Sequence, residues 1–168
     1  MRVIVLGNSG SGKTVLSRSL GAHNEAEVLS LDAVAFQADA VRRELSESVA
    51  EAAVFAGRHE RWVMEGCYAD IVRGVMELAD ELIFLNPGTE ACLANCRRRP
   101  FEPDKFESEA AQDRMLTTLL DWVADYDTRT DEYGVAAHRA VFESFPGAKR
   151  EFTKLAQYAS IERYFSSN

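Results

Sequence analysis

Apolar residues gather into short runs separated by longer stretches in which they recur at helical spacing. The runs predict strands at Arg2 to Leu6, Glu27 to Leu31, Arg61 to Met64 and Leu82 to Leu85, with a weaker fifth near Lys149 to Thr153. Between them the spacing predicts helices over Thr14 to Ala22, over Ala40 to Ala56 with Val41, Leu45, Val49 and Ala52 on one face, and over Ile71 to Ala79. Such alternation predicts an α/β fold, a parallel sheet covered by helices on both faces. Right-handed crossovers then bring every strand C-terminus to one edge, where ligands bind in sheets of this kind.

The second half differs in kind. From Cys92 to Phe145 strand signal is sparse, and helical patterns at Ser108 to Tyr126 and Asp131 to Phe145 dominate. Pro100 and Pro103 break the chain before the first of these. Arg99 to about Tyr133 reads as a helical insertion able to close over a site, or as two further helices packed on the sheet. Pro146 and Gly147 stop the second helix, and a last helix is expected from about Leu155 to Phe165.

Composition narrows the class. The 168 residues suit one domain, and 46% hydrophobic with 27% charged residues is ordinary for a folded soluble chain. A net charge of −8 argues against a nucleic-acid or anionic-membrane surface, so an anionic ligand must be held by local positive charge. No apolar run approaches the ~20 residues of a membrane span. Three cysteines, Cys67, Cys92 and Cys96, cannot all pair, and the chain opens on a strand, so a reduced, cytoplasmic protein is expected. Cys92 and Cys96, four apart, are read as a buried helix face and not as metal ligands.

The chemistry starts behind the first strand. Gly7, Asn8, Ser9, Gly10, Ser11, Gly12, Lys13 and Thr14 fit the G-x-x-x-x-G-K-[ST] phosphate-binding pattern without a mismatch. Glycines there let backbone N–H groups turn toward phosphate oxygens, Lys13 adds a mobile charge, and the Thr14 hydroxyl can reach magnesium at a helix N-terminus. A nucleoside triphosphate, ATP above all, with Mg2+ is the expected cofactor.

Two carboxylates fall beside that loop on the strand edge. Asp32 directly follows Val28 to Leu31, and Glu65 directly follows Trp62 to Met64. Either can hold magnesium through its water shell or take a proton from an acceptor hydroxyl, and either can instead cap the next element. Arg97, Arg98 and Arg99 form a dense basic run suited to a migrating phosphoryl group, though Glu102, Asp104 and Glu107 are ready surface partners. Arg129 and Arg139 are weaker candidates of the same type. Arg42 and Arg43, expected on the helix after Asp32, read as acceptor contacts or as solvated surface.

The phosphate loop, Leu31-Asp32-Ala33, Glu65-Gly66-Cys67-Tyr68 and Leu78 to Leu85 together resemble the adenylate-kinase-like P-loop proteins of the "DNA topology modulation protein" type, over nearly the whole chain. Wider relatives are the nucleoside monophosphate, shikimate and gluconate kinases. The resemblance implies a P-loop NTPase fold in three α/β/α layers, with a five-stranded parallel sheet in the order 2-3-1-4-5 and a helical lid. It implies that Asp32 handles magnesium or the acceptor, that Arg97 to Arg99 begin the lid, and that Arg129 and Arg139 lie on its returning segment. Thr153-Lys154 is similar to the loop that holds the adenine base. Those kinases carry an arginine soon after the pair matched by Glu65-Gly66, where this chain reads Cys67-Tyr68-Ala69-Asp70, with Arg73 beyond. A small kinase acting on a nucleotide or a small-molecule hydroxyl or phosphate acceptor is the expectation. A nucleotide-dependent regulator or slow NTPase without a dedicated acceptor is the alternative.

Overall fold

The computed structural model describes residues 1–37, 41–103 and 107–154. The expected helix from Leu155 to Phe165, the start of another at Ala40, and Asp104 lie outside the described residues. In chain order the elements are β1 (Arg2–Gly7), α1 (Lys13–Asn24), β2 (Glu27–Ser30), α2 (Asp32–Ala35), α3 (Leu45–Arg58), β3 (Trp62–Gly66), α4 (Ala69–Val75), β4 (Glu81–Leu85), α5 (Thr89–Arg97), α6 (Glu109–Ala124), α7 (Val135–Ser144) and β5 (Ala148–Phe152). All five strands pair in parallel in the order 2-3-1-4-5.

The central strands β1, β3 and β4 are largely apolar and buried because both sheet faces are covered there, whereas three of the five residues of edge strand β5 are charged. Alternate residues Val3, Val5, Val63, Ile83 and Leu85 pack on Leu16 and Leu20 of α1. Each of those leucines, almost wholly buried, contributes about 2 kcal/mol. The opposite set, Ile4, Leu6, Trp62, Met64, Leu82 and Phe84, packs on α2, α3, α4 and α7. A separate cluster joins α5 to α6 through Cys92, Leu93, Cys96 and Val123, with Leu119 and Trp122 against it. Cys92 and Cys96 are thus a buried helix face, and their thiols are free. Among the described residues no helix is long and apolar enough to cross a membrane.

Three boundaries differ from the pattern reading. The helix expected from Ala40 begins at Leu45, and Val41 is exposed. The cause is α2, a four-residue helix whose last carbonyls need donors. Arg43 N and the Arg42 guanidinium donate to Ala35 O at 2.9 and 3.1 Å, and Arg43 Nε donates to Phe36 O at 3.1 Å, which holds that stretch extended. The helix expected from Asp131 begins at Val135, because the Asp131 carboxylate accepts from Arg129 and from Tyr133 N and makes a turn. Glu65 lies within β3 and does not follow it, its register position paired with Val5.

Candidate active site

Gly7 ends β1 and Lys13 opens α1, so the phosphate loop spans the gap between a central strand and a helix N-terminus. Gly10 and Gly12 sit at φ 79° and 92°, left-handed backbone that favours glycine. At Gly10 a side chain would also run into the Cys92 carbonyl and, at 2.7 Å, the Cys96 sulfur, so α5 holds the loop closely. The first turn of α1 carries no acidic residue, which leaves its partial positive charge for an anion. Lys13 is buried, its Nζ donating to Asn8 O at 2.9 Å.

Side chains outside the motif pin the loop in place. Asn95 Nδ2 on α5 donates to Gly10 O at 2.8 Å, and Asn8 Nδ2 donates to Val123 O at the end of α6 at 3.2 Å. Asn8 Oδ1 accepts from Ser9 N at 2.8 Å. Asn95 carries no motif signal; its only hint is its place on the cysteine-bearing helix.

Two carboxylates meet the loop, by different routes. Glu65 is 5% exposed, and the Thr14 hydroxyl donates to its Oε1 at 3.1 Å. Asp32 opens α2, is exposed, and accepts at Oδ1 from the Tyr68 hydroxyl at 2.6 Å. Burial, with the neighbouring Asp32 charge adding, pushes the Tyr68 phenol far above its ordinary pKa, so the hydroxyl stays a donor. Among the described residues no group of three or more His, Cys, Asp and Glu could by itself hold a metal ion. The hydroxyl and carboxylate oxygens of Thr14, Glu65 and Asp32 suit a hard cation that arrives with phosphate ligands of its own.

A cavity of about 940 Å³ opens over the loop, bordered by Lys13, Thr14, Asp32, Glu65, Arg98 and Arg99. A smaller one of about 360 Å³ shares Ser9, Asp32, Arg99 and Glu102 with it and is walled by α6. Arg99 borders both, with guanidinium nitrogens 3.4 Å from the Glu102 carboxylate and 3.5 Å from Ser9 Oγ. The structure does not bring every candidate there. Arg97 is exposed on α5 and borders neither cavity. Arg139 instead makes two bonds of 2.6 Å to Glu151 and lies 5.1 Å over the Phe84 ring. Arg129 pairs with Asp131 at 2.7 Å and stacks 4.5 Å over Trp122. Thr153 and Lys154 follow β5 and, like exposed Arg73, border neither cavity.

Behind the carboxylates sits a histidine that no motif announces. His138 on α7 is wholly buried, 2.9 Å from Cys67 O and 2.8 Å from the Tyr126 hydroxyl. A carbonyl only accepts, so Nε2–H donates to Cys67 and Nδ1 accepts from Tyr126. Burial lowers its pKa to about 4, which keeps the ring neutral and anchors the loop carrying Tyr68. Burial likewise pushes the Cys67 and Cys92 thiols up to about 12, so neither is a nucleophile.

No protein-family model matches the chain, and no curated protein matches it in sequence. Solved structures do. A shikimate kinase from Bacteroides thetaiotaomicron is similar over 99% of this chain and 97% of its own, with TM-score 0.58 and 14% identity. A sugar kinase from Janibacter sp. is similar over 98% of this chain and 91% of its own, with TM-score 0.54 and 13% identity. A deoxyadenosine kinase from M. mycoides, solved with bound dATP, is similar over 98% of this chain and 99% of its own, with TM-score 0.54 and 11% identity. With the strand order 2-3-1-4-5 and the loop from Gly7 to Thr14, these similarities give the chain the fold of the small P-loop kinases.

Proposed function

We propose that the chain is an ATP-dependent phosphotransferase, a small kinase of the adenylate-kinase-like type that its motifs resemble. The observation that carries this reading is a single cavity bordered at once by Lys13, Thr14, Asp32, Glu65, Arg98 and Arg99. Phosphoryl transfer needs little else: positioning in line and positive charge around the migrating group. Loop N–H groups and Lys13 cradle the β- and γ-phosphates, and Arg98 and Arg99 neutralise charge on the transferring group. Thr14, Glu65 and Asp32 would hold magnesium directly or through its waters, and the ion would supply neutralisation of phosphate charge. Asp32 keeps one oxygen for an acceptor hydroxyl while Tyr68 occupies the other.

On this reading residues 1–168 form one domain and the segment 99–133 acts as its lid. Arg139 steadies the β5 end through Glu151, and Thr153 and Lys154, next along the same sheet edge, serve the base end of the nucleotide. The rival is a nucleotide-dependent regulator, favoured by Tyr68 standing against Asp32 where a guanidinium would grip an acceptor phosphate. Two measurements decide. Saturating ATP with magnesium should raise Tm by about 7 °C at a hundredfold excess over Kd, and Lys13→Ala should abolish most of that rise. Acceptor-stimulated ADP release then separates kinase from regulator; no stimulation by nucleosides, nucleotides or small polyols refutes the kinase.

A further inference from the structure

Resting on the phosphotransferase reading, we infer that the acceptor is an uncharged hydroxyl compound with a flat or apolar body, of nucleoside size, held in the smaller cavity between Asp32 and α6. That cavity holds about 360 Å³, the lower range of small-ligand sites. Its walls are Cys96 on α5 and Met115, Leu116, Leu119 and Trp122 on α6, while Asp32 and Arg99 connect it to the phosphate loop. An apolar body fits such walls, to which Trp122 adds aromatic surface.

The charges on the described residues favour an uncharged acceptor over an anionic one. The charged side chains bordering the cavity, among the described residues, are two carboxylates, Asp32 and Glu102, and one guanidinium, Arg99. Arg99 itself is paired with Glu102 at 3.4 Å. Two arginines packed on aromatic rings beside the site are committed as well. Arg42 pairs with Asp70 at 2.9 Å with its guanidinium 5.0 Å over Tyr68, and Arg129 pairs with Asp131 at 2.7 Å over Trp122. Both sit against the aromatic rings and border neither cavity. A phosphate on the acceptor would bring about −2 of charge to a cavity whose one guanidinium among the described residues, Arg99, is already engaged by Glu102 and by the transferring phosphate. The phosphate-loop side differs: Lys13, Arg18 and Arg98 border the larger cavity with no ion pair to a carboxylate among the described residues. Donor and acceptor are thereby told apart by charge.

The transfer balances with the groups named. The acceptor oxygen forms a bond to the γ-phosphorus of ATP as the bond to the β,γ-bridging oxygen breaks. ADP keeps that electron pair, and the hydroxyl proton passes to the free oxygen of Asp32.

The test uses the full chain with its phosphate loop filled by a non-hydrolysable ATP analogue and magnesium. The indole N–H resonance of Trp122, assigned by Trp122→Phe, is followed during titration with adenosine, guanosine, cytidine and thymidine and with their 5′-monophosphates. At least one nucleoside should bind ten or more times tighter than its monophosphate. Met115→Lys, at an exposed position bordering the cavity, and Glu102→Gln should each shift that ratio about fivefold toward the monophosphate. A monophosphate that binds more tightly to the native protein overturns the inference, and so does a Trp122 signal that no nucleoside moves. Failure of the kinase reading looks different: nucleosides bind at Trp122 but, with ATP replacing the analogue, release no ADP. Release of ADP by monophosphates alone keeps the kinase and removes this acceptor class.

Discussion

Acid should weaken this fold through one ring. His138 has a pKa of about 4 in the folded protein, set mainly by burial. The Cys67 carbonyl on Nε2 and the Asp131 charge favour its protonation slightly, and the Lys13 and Arg129 charges oppose it. Unfolded, the same ring titrates near its ordinary value of about 6.5. Between those values the unfolded chain binds the proton and the folded one does not, so stability falls as pH drops through the window and is fully present above it. The loss reaches about 2 kcal/mol at pH 5 and about 3 kcal/mol once both states are protonated. Carboxylates that are paired in the fold, such as Glu151 with Arg139, add their own loss at lower pH. The contribution of the ring is therefore read by difference. His138→Gln keeps a donor for Cys67 O and an acceptor for Tyr126 but cannot titrate. Urea unfolding at pH 7.5 and pH 5.0 should show the native protein losing about 2 kcal/mol more than the variant. Equal losses would refute the assignment of a neutral buried imidazole.

Three further substitutions probe the loop and its carboxylates. Gly10→Ala sets a side chain in left-handed backbone against the Cys92 carbonyl; a loss of about 2 kcal/mol, read as a Tm fall of about 6 °C, is expected, and a Tm within a degree of native contradicts the close approach of α5. Asn95→Ala frees Gly10 O and should weaken ATP binding several-fold by calorimetry while the protein stays folded, whereas unchanged affinity means the pin is idle. Tyr68→Phe keeps the buried ring and removes the donor to Asp32, so turnover should fall about tenfold with ATP protection unchanged; a proportional loss of ATP protection points to a folding defect instead.

The strands and the phosphate loop are legible in sequence because both are local. A run such as Val3 to Leu6 carries its own period, and the loop is eight consecutive residues. Right-handed crossovers then leave few strand orders to choose among. What stays hidden depends on distant partners. Val41 continues the helical face of Leu45, yet its stretch is held extended by the carbonyls of α2, a helix too short to announce itself. Asp70 near Arg42, Asn95 near Gly10 and His138 near Cys67 are contacts between residues 28, 85 and 71 positions apart, and no spacing rule pairs them. Arg97, Arg98 and Arg99 look alike in the chain, but α5 ends there, so one faces solvent, one the larger cavity and one both cavities. On the proposed function, the parts of the site that would bind phosphate are thus written contiguously. The parts that would choose an acceptor are assembled by the fold.

The strand order has a consequence in time. β1 and β2, the first two strands made, do not touch; β3 lies between them and pairs with both. The chain emerging from the ribosome therefore carries a complete phosphate loop with no sheet to set it in and without Glu65, which stands 51 residues beyond its partner Thr14. Strand pairing cannot proceed in order of synthesis, because β2 has no edge to join until β3 is in place. Insertion of that one strand completes the left half of the sheet and delivers the buried carboxylate in the same event. A truncated product ending near residue 60 should display the whole glycine-rich motif and still fail to retain ATP, which makes nucleotide retention a readout of completed folding.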